Sequence, residues 1–210
     1  MNKLLIFDLD DTLFETKSMD EKTFEPIFNK FESSLIDRFG KKLAQQILPE
    51  LWKYPFDFVS EKHKFGNDLD YEFASLINKH EYELDIKTFK DFNSVESLKH
   101  EKILVTTGFL KLQNAKIYHL GIKEKFSNIY IDDILDPKRI YKKGIFNNIL
   151  LDKKIDSKLV YVIGDNPNSE LKAGFELGFN TIQVAKFGQK KSKYSNHYIS
   201  DLEELITILN

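Results

Sequence analysis

Cysteine is absent from this 210-residue chain, which excludes a disulfide framework, a thiolate nucleophile and any cysteine-ligated metal. A metal would have to be held by oxygen or imidazole, and none of the five histidines stands at metal-ligand spacing from another. An excess of one charge is lacking too. Lysine and arginine total 31 against 33 acidic residues, a net charge of -2, so no general attraction to nucleic acid or anionic lipid is expected and small molecules are the expected partners. No apolar run approaches the roughly 20 residues that span a bilayer, and there is no internal repeat or low-complexity linker. The opening MNKLLIFDLDD starts like a signal peptide, but its apolar run, Leu4 to Phe7, ends in carboxylates rather than a cleavage site. A cytoplasmic location is expected.

What is present suffices for a buried core: 41% of the residues are hydrophobic, and the length suits one domain with a sizeable insertion. Five short apolar runs read as buried strands of a parallel sheet: Leu4 to Phe7, Ile103 to Thr106, Ile129 to Ile131, Val160 to Ile163 and Thr181 to Val184. Each is followed by polar or glycine residues and then by helical spacing, the alternation of an open α/β sheet. The stretch between the first two runs breaks that rhythm. Phe24, Ile27, Phe28, Phe31, Leu35 and Phe39 share one helix face that Gly40 ends; Leu43, Ile47, Leu48 and Leu51 mark a second helix before Pro55; Phe73, Leu76 and Ile77 mark a third. Such an excursion is too long for a crossover of about a dozen residues and is expected to fold as its own helical cap. The expected division is a core of 1–14 and 101–210 with a cap of 15–100.

Strand ends carry the chemistry in such folds. The first run ends in Asp8-Leu9-Asp10-Asp11-Thr12, and alternation puts Asp8 and Asp10 on the same side. Two carboxylates about 4 Å apart repel by about 4 kcal/mol at an effective dielectric near 20, which calls for a cation or a shared proton. Asp165 follows the Val160 to Ile163 run in Gly164-Asp165-Asn166-Pro167-Asn168-Ser169-Glu170 and offers a third oxygen. Oxygen-only ligation completed by water suits magnesium better than zinc. Thr106, Thr107 and Gly108 end the second run with hydroxyls and free amides of the kind that hold phosphate oxygens. Lys142 and Lys143 precede a helical segment, and either would neutralise a phosphate beside the nucleophile.

These four groups together resemble the haloacid dehalogenase-like hydrolase superfamily, over Leu4 to Phe14 and from about Ile103 to Leu209. FDLDDTL matches the first motif, VTTG the second, a lysine near position 142 the third and GDNPNSE the fourth, while FELGFNTIQV is similar to the helix and strand that follow it. The resemblance implies a Rossmann-like three-layer α/β core with the helical cap, and a magnesium-dependent phosphatase acting on a small phosphate monoester. Asp8 is then the nucleophile and Asp10 the acid and base. Thr106, Thr107 and Lys142 bind the phosphate; Asp8, the backbone carbonyl of Asp10, and Asp165 hold the metal. Two departures stand out. The third-motif lysine lacks the proline that often follows it, with Lys142 favoured over Lys143, and Glu170 stands where aspartate is common, which favours a supporting or water-mediated role over direct metal contact. A phosphomutase of the same superfamily and a non-catalytic binding protein are the alternatives.

Other charged residues have plainer readings. Asp11 and Thr12 cap the chain where it leaves the strand. Asp132 and Asp133 form a solvated turn, Lys186 to Lys193 an exposed loop, and His63 belongs to an aromatic-flanked loop of the insertion.

Overall fold

A computed structural model describes residues 2–209. Its centre is a sheet of β1 (Leu4–Phe7), β2 (Glu101–Gly108), β3 (Asn128–Asp133), β4 (Val160–Gly164), β5 (Asn180–Val184) and β6 (His197–Ile199). The order is β3-β2-β1-β4-β5-β6, and every neighbouring pair is parallel. The five expected strands are present. The sixth has two of its three residues exposed, so no apolar run marks it.

The helices are α1 (Glu25–Phe39), α2 (Lys41–Lys53), α3 (Phe56–His63), α4 (Gly66–Lys79), α5 (Phe92–Ser97), α6 (Leu110–His119), α7 (Tyr141–Lys153), α8 (Glu170–Glu176) and α9 (Glu204–Leu209). Alternate residues of β1 enter two different cores. Leu5 and Phe7 pack in a cluster with Ile117 of α6 and Leu205 and Leu209 of α9. Leu4 and Ile6 pack in another with Phe146 and Ile149 of α7 and Ala173 of α8. A strand buried on both faces is what a parallel sheet with crossover helices requires, and the result is a three-layer, Rossmann-like α/β core.

Between β1 and β2 lie α1 to α4, packed around phenylalanines. Phe31 meets Phe73 with ring centroids 4.8 Å apart, and Phe56 stacks on Phe73 at 4.7 Å. Gly40, at φ 77°, ends α1 and lets α2 start at the next residue. Pro49 sits inside α2, where its missing N–H removes one backbone bond. The aromatic stretch expected as a loop around His63 is instead α3: Phe56 and Val59 are buried, and His63 is fixed 2.7 Å from Glu50. The insertion shares its core with the sheet, because Phe56 and Phe73 reach Phe109 at 5.4 and 5.7 Å just before α6. The chain then returns along Phe14 through a bridge at Thr88, and α5 packs on α9.

Candidate active site

Strand β1 pairs with both β2 and β4, with Phe7 opposite Leu104 and Ile163. Asp8 therefore emerges where the strand order turns back on itself, the crevice in which open α/β sheets bind ligands. Its backbone N–H donates to the Ile163 carbonyl at 2.9 Å, which fixes the carboxylate at the carboxyl ends of the strands.

Asp8 is 6% exposed and accepts a hydrogen bond from Lys142 Nζ at 2.6 Å. The same ammonium donates to Glu170 Oε2 at 2.9 Å, and Glu170 Oε1 accepts from the Asn166 N–H at 2.6 Å. Both Glu170 oxygens are thus engaged, and its role is to hold Lys142 and the β4–α8 turn. Lys143 is exposed and pairs with Glu176. Of the two lysines, the buried one at the first turn of α7 meets the nucleophile candidate.

Oxygens of Asp8, Asp165 and Glu170 lie within 4.8 Å of one another. Burial pushes the Asp8 carboxyl up to about 7; Lys142 opposes that shift, and Glu170 and Asp10 add to it. Asp165 rises to about 8, again chiefly through burial and then through Glu170 and Asp8. Burial works to lower the Lys142 pKa, but its two carboxylate partners hold it above the usual lysine range. Three acids around one ammonium leave the cluster short of positive charge. A hard divalent cation fits that imbalance and the all-oxygen donor set, with Asp8 and Asp165 the carboxylates free to reach it. The side chain of Asp10 is outside the cluster, so only its carbonyl is available as a ligand.

Asp10 is instead turned toward α6. Its Oδ1 accepts from Lys116 Nζ at 2.6 Å and its Oδ2 from Gln113 Nε2 at 2.8 Å. The Gln113 amide also lies 2.8 Å from the Thr106 hydroxyl and 2.7 Å from the Thr107 carbonyl, so two hydrogens serve three acceptors. Thr106 is fully buried beside this amide. The Thr107 hydroxyl is already committed to Asp132 at 2.9 Å. Sequence reasoning passed over Gln113 and Lys116. The available signal was their i, i+3 spacing on the helix that follows the threonines, which puts both on one face.

Asp132 requires a correction. Expected in a solvated turn, it is 4% exposed and bound through both oxygens, at 2.7 and 2.8 Å, by Arg139. Arg139 reaches on to Asp57 of α3 at 2.8 Å, so one guanidinium joins the insertion to the end of β3. Lys186, expected in an exposed loop, has a largely covered side chain and pairs with Asp91. Asp11 caps as expected, at φ 54° with its carboxylate accepting from the Thr16 N–H at 2.8 Å. Thr12 is buried, 3.5 Å from Asp165.

Asp8, Asp10, Asp132, Lys142, Asp165 and Glu170 line a cavity of about 1170 Å³ between the strand ends and the insertion. The chain matches the model of the haloacid dehalogenase-like hydrolases over residues 5–184, and it belongs to that family. No curated protein sequence matches it. Among solved structures it is similar to YfnB of Bacillus subtilis, described as a HAD-hydrolase bound to magnesium: 19% identity, TM-score 0.65, covering 100% of this chain and 99% of that one. It is similar also to a HAD phosphatase of Thermococcus onnurineus, at 18% identity and TM-score 0.68 over 99% and 98% of the two chains. A 2-haloacid dehalogenase of Pseudomonas syringae pv. tomato aligns at 18% identity and TM-score 0.59 over 100% and 98%. Likeness at these identities establishes the fold alone. No helix among the described residues is long and apolar enough to cross a membrane.

Proposed function

We propose that the protein is a cytoplasmic, magnesium-dependent phosphatase that hydrolyses a small phosphate monoester through an aspartyl-phosphate on Asp8. The observation that carries this is the buried Asp8–Lys142–Glu170 set beside Asp165, with a second carboxylate at Asp10. Carbon–halogen cleavage by attack of an aspartate needs neither an acid at Asp10 nor a metal, which speaks for phosphorus over carbon.

Lys142 offsets charge on Asp8 and on the incoming phosphoryl oxygens, so that two anions approach. One Asp8 oxygen holds that lysine; the other has no hydrogen-bond partner among the described residues, and it forms the new bond to phosphorus as the ester P–O bond breaks. Asp10, turned from Lys116 and Gln113 toward the substrate and in its protonated form, gives that proton to the departing oxygen, then takes one from the water that attacks phosphorus and releases phosphate and the Asp8 carboxylate. Thr106 and the backbone N–H groups where the chain leaves β2 receive the phosphoryl oxygens. Asp8, Asp165 and the Asp10 carbonyl would hold magnesium, which would supply electrophilic assistance and charge neutralisation there. The insertion over the cavity acts as a cap that excludes water and contacts the leaving group.

Phosphate release from a panel of phosphorylated metabolites should require magnesium, stop on chelation and return on readdition. Asp8→Asn should eliminate turnover with the fold intact. Full activity in excess chelator, or covalent phosphate on another residue, refutes the mechanism.

A further inference from the structure

The cavity has two chemically different ends. Its floor is the polar constellation at the strand ends. Its roof, from the insertion and α6, includes Phe24, Phe28, Trp52, Phe56, Phe73 and Leu112. Lys17, Glu21 and Lys53 are exposed to solvent, and Asp57 is held by Arg139. Trp52 packs edge-on against Phe24 and Phe28, with centroids 5.1 and 6.0 Å away, and its indole N–H has no partner among the described residues.

We propose that the substrate is the phosphate monoester of a largely apolar alcohol, with a body the size of an aromatic ring, rather than a polyhydroxylated sugar phosphate. This deepens the phosphatase reading and rests on it. A polyol moved into the apolar roof would lose hydration at several hydroxyls, and the unpartnered donors of the buried wall are few, the Trp52 indole N–H and the Thr16 hydroxyl, so each unpaired hydroxyl counts against binding. An aryl-alkyl group loses no such bonds. It gains contact with Trp52, whose geometry toward Phe24 and Phe28 leaves the aromatic wall of the cavity open to a further ring.

The test compares 2-phenylethyl phosphate with glucose 6-phosphate, both esters of primary alcohols, in the presence of magnesium. The aryl-alkyl ester should have the higher kcat/KM by about tenfold to a hundredfold, most of it in KM, since the contacts persist from ground state to transition state. Trp52→Ala should raise KM for 2-phenylethyl phosphate by about tenfold and shrink the preference. Should that variant fold poorly, competitive inhibition of the unaltered enzyme serves instead: 2-phenylethanol should inhibit and glycerol should not. A sugar phosphate turned over as well as the aryl-alkyl ester, or equal inhibition by the two alcohols, overturns the inference and leaves the phosphatase reading standing. No phosphate from either ester, nor from an activated aryl phosphate, brings down the phosphatase reading itself.

Discussion

Asp8 and Asp165 show how a buried site stores the need for a cation. Their folded values, about 7 and about 8, lie well above the 3.8 of a free aspartate, so the folded metal-free protein holds protons that the unfolded chain gives up. Groups raised in this way contribute stability that is fully present below about pH 4 and is lost as pH climbs through their folded values. Without metal, these two groups should therefore lower the urea midpoint progressively between about pH 4 and about pH 8. Magnesium should reverse this, and its gain in thermal midpoint should be larger at about pH 8.5 than at about pH 6, because only the deprotonated carboxylates bind it. Equal gains at both pH values would remove Asp8 and Asp165 from the metal site.

At the scale of elements, the strand β4 and the helix α8 are joined through one missing side chain. A Cβ on Gly164 would overlap Cγ and Oε1 of Glu170, which is 1% exposed and holds Lys142. Gly164→Ala should cost about 1–3 kcal/mol in urea unfolding through this overlap and should also lower kcat, since displaced Glu170 releases Lys142 from its place beside Asp8. A loss of stability with kcat unchanged would mean that Glu170 does not position the lysine. The elements themselves differed in how legible they were. β1 to β5 stood out because a strand buried on both faces must be apolar throughout. The Asp8–Asp10 and Gly164–Asp165 segments stood out because acids at the ends of such strands have no structural excuse. β6 is three residues long, and α3 has too few turns for a period to declare itself. Gln113, Lys116, Asp132 and Arg139 were hidden for another reason: their meaning lies in partners far along the chain, such as Asp10 for Lys116 and Asp57 for Arg139, and no local pattern encodes those pairings.

Across the whole molecule, the insertion meets the core through two kinds of contact. Phe56 and Phe73 against Phe109 form an apolar seam that holds without direction. The Asp57–Arg139 pair is directional, and it is asymmetric: Arg139 keeps both bonds to buried Asp132 when Asp57 leaves, while Asp57 is 43% exposed and rehydrates easily. Breaking it therefore strands no buried charge, which suits a contact that opens and closes. Asp57→Asn retains the Oδ1 acceptor for the Phe58 N–H and removes only the charge toward Arg139. It should lower global stability by no more than about 1 kcal/mol. The same change should shift the insertion toward open forms, raising KM by the fraction of closed protein lost while kcat at saturation stays within about twofold. Amide hydrogen exchange across α3 should quicken in the variant, and about 1 M salt should produce a similar quickening in the unaltered protein by screening the pair. If α3 exchanges at the same rate in both proteins, the Asp57 bond does not hold the insertion down and Arg139 serves only the end of β3.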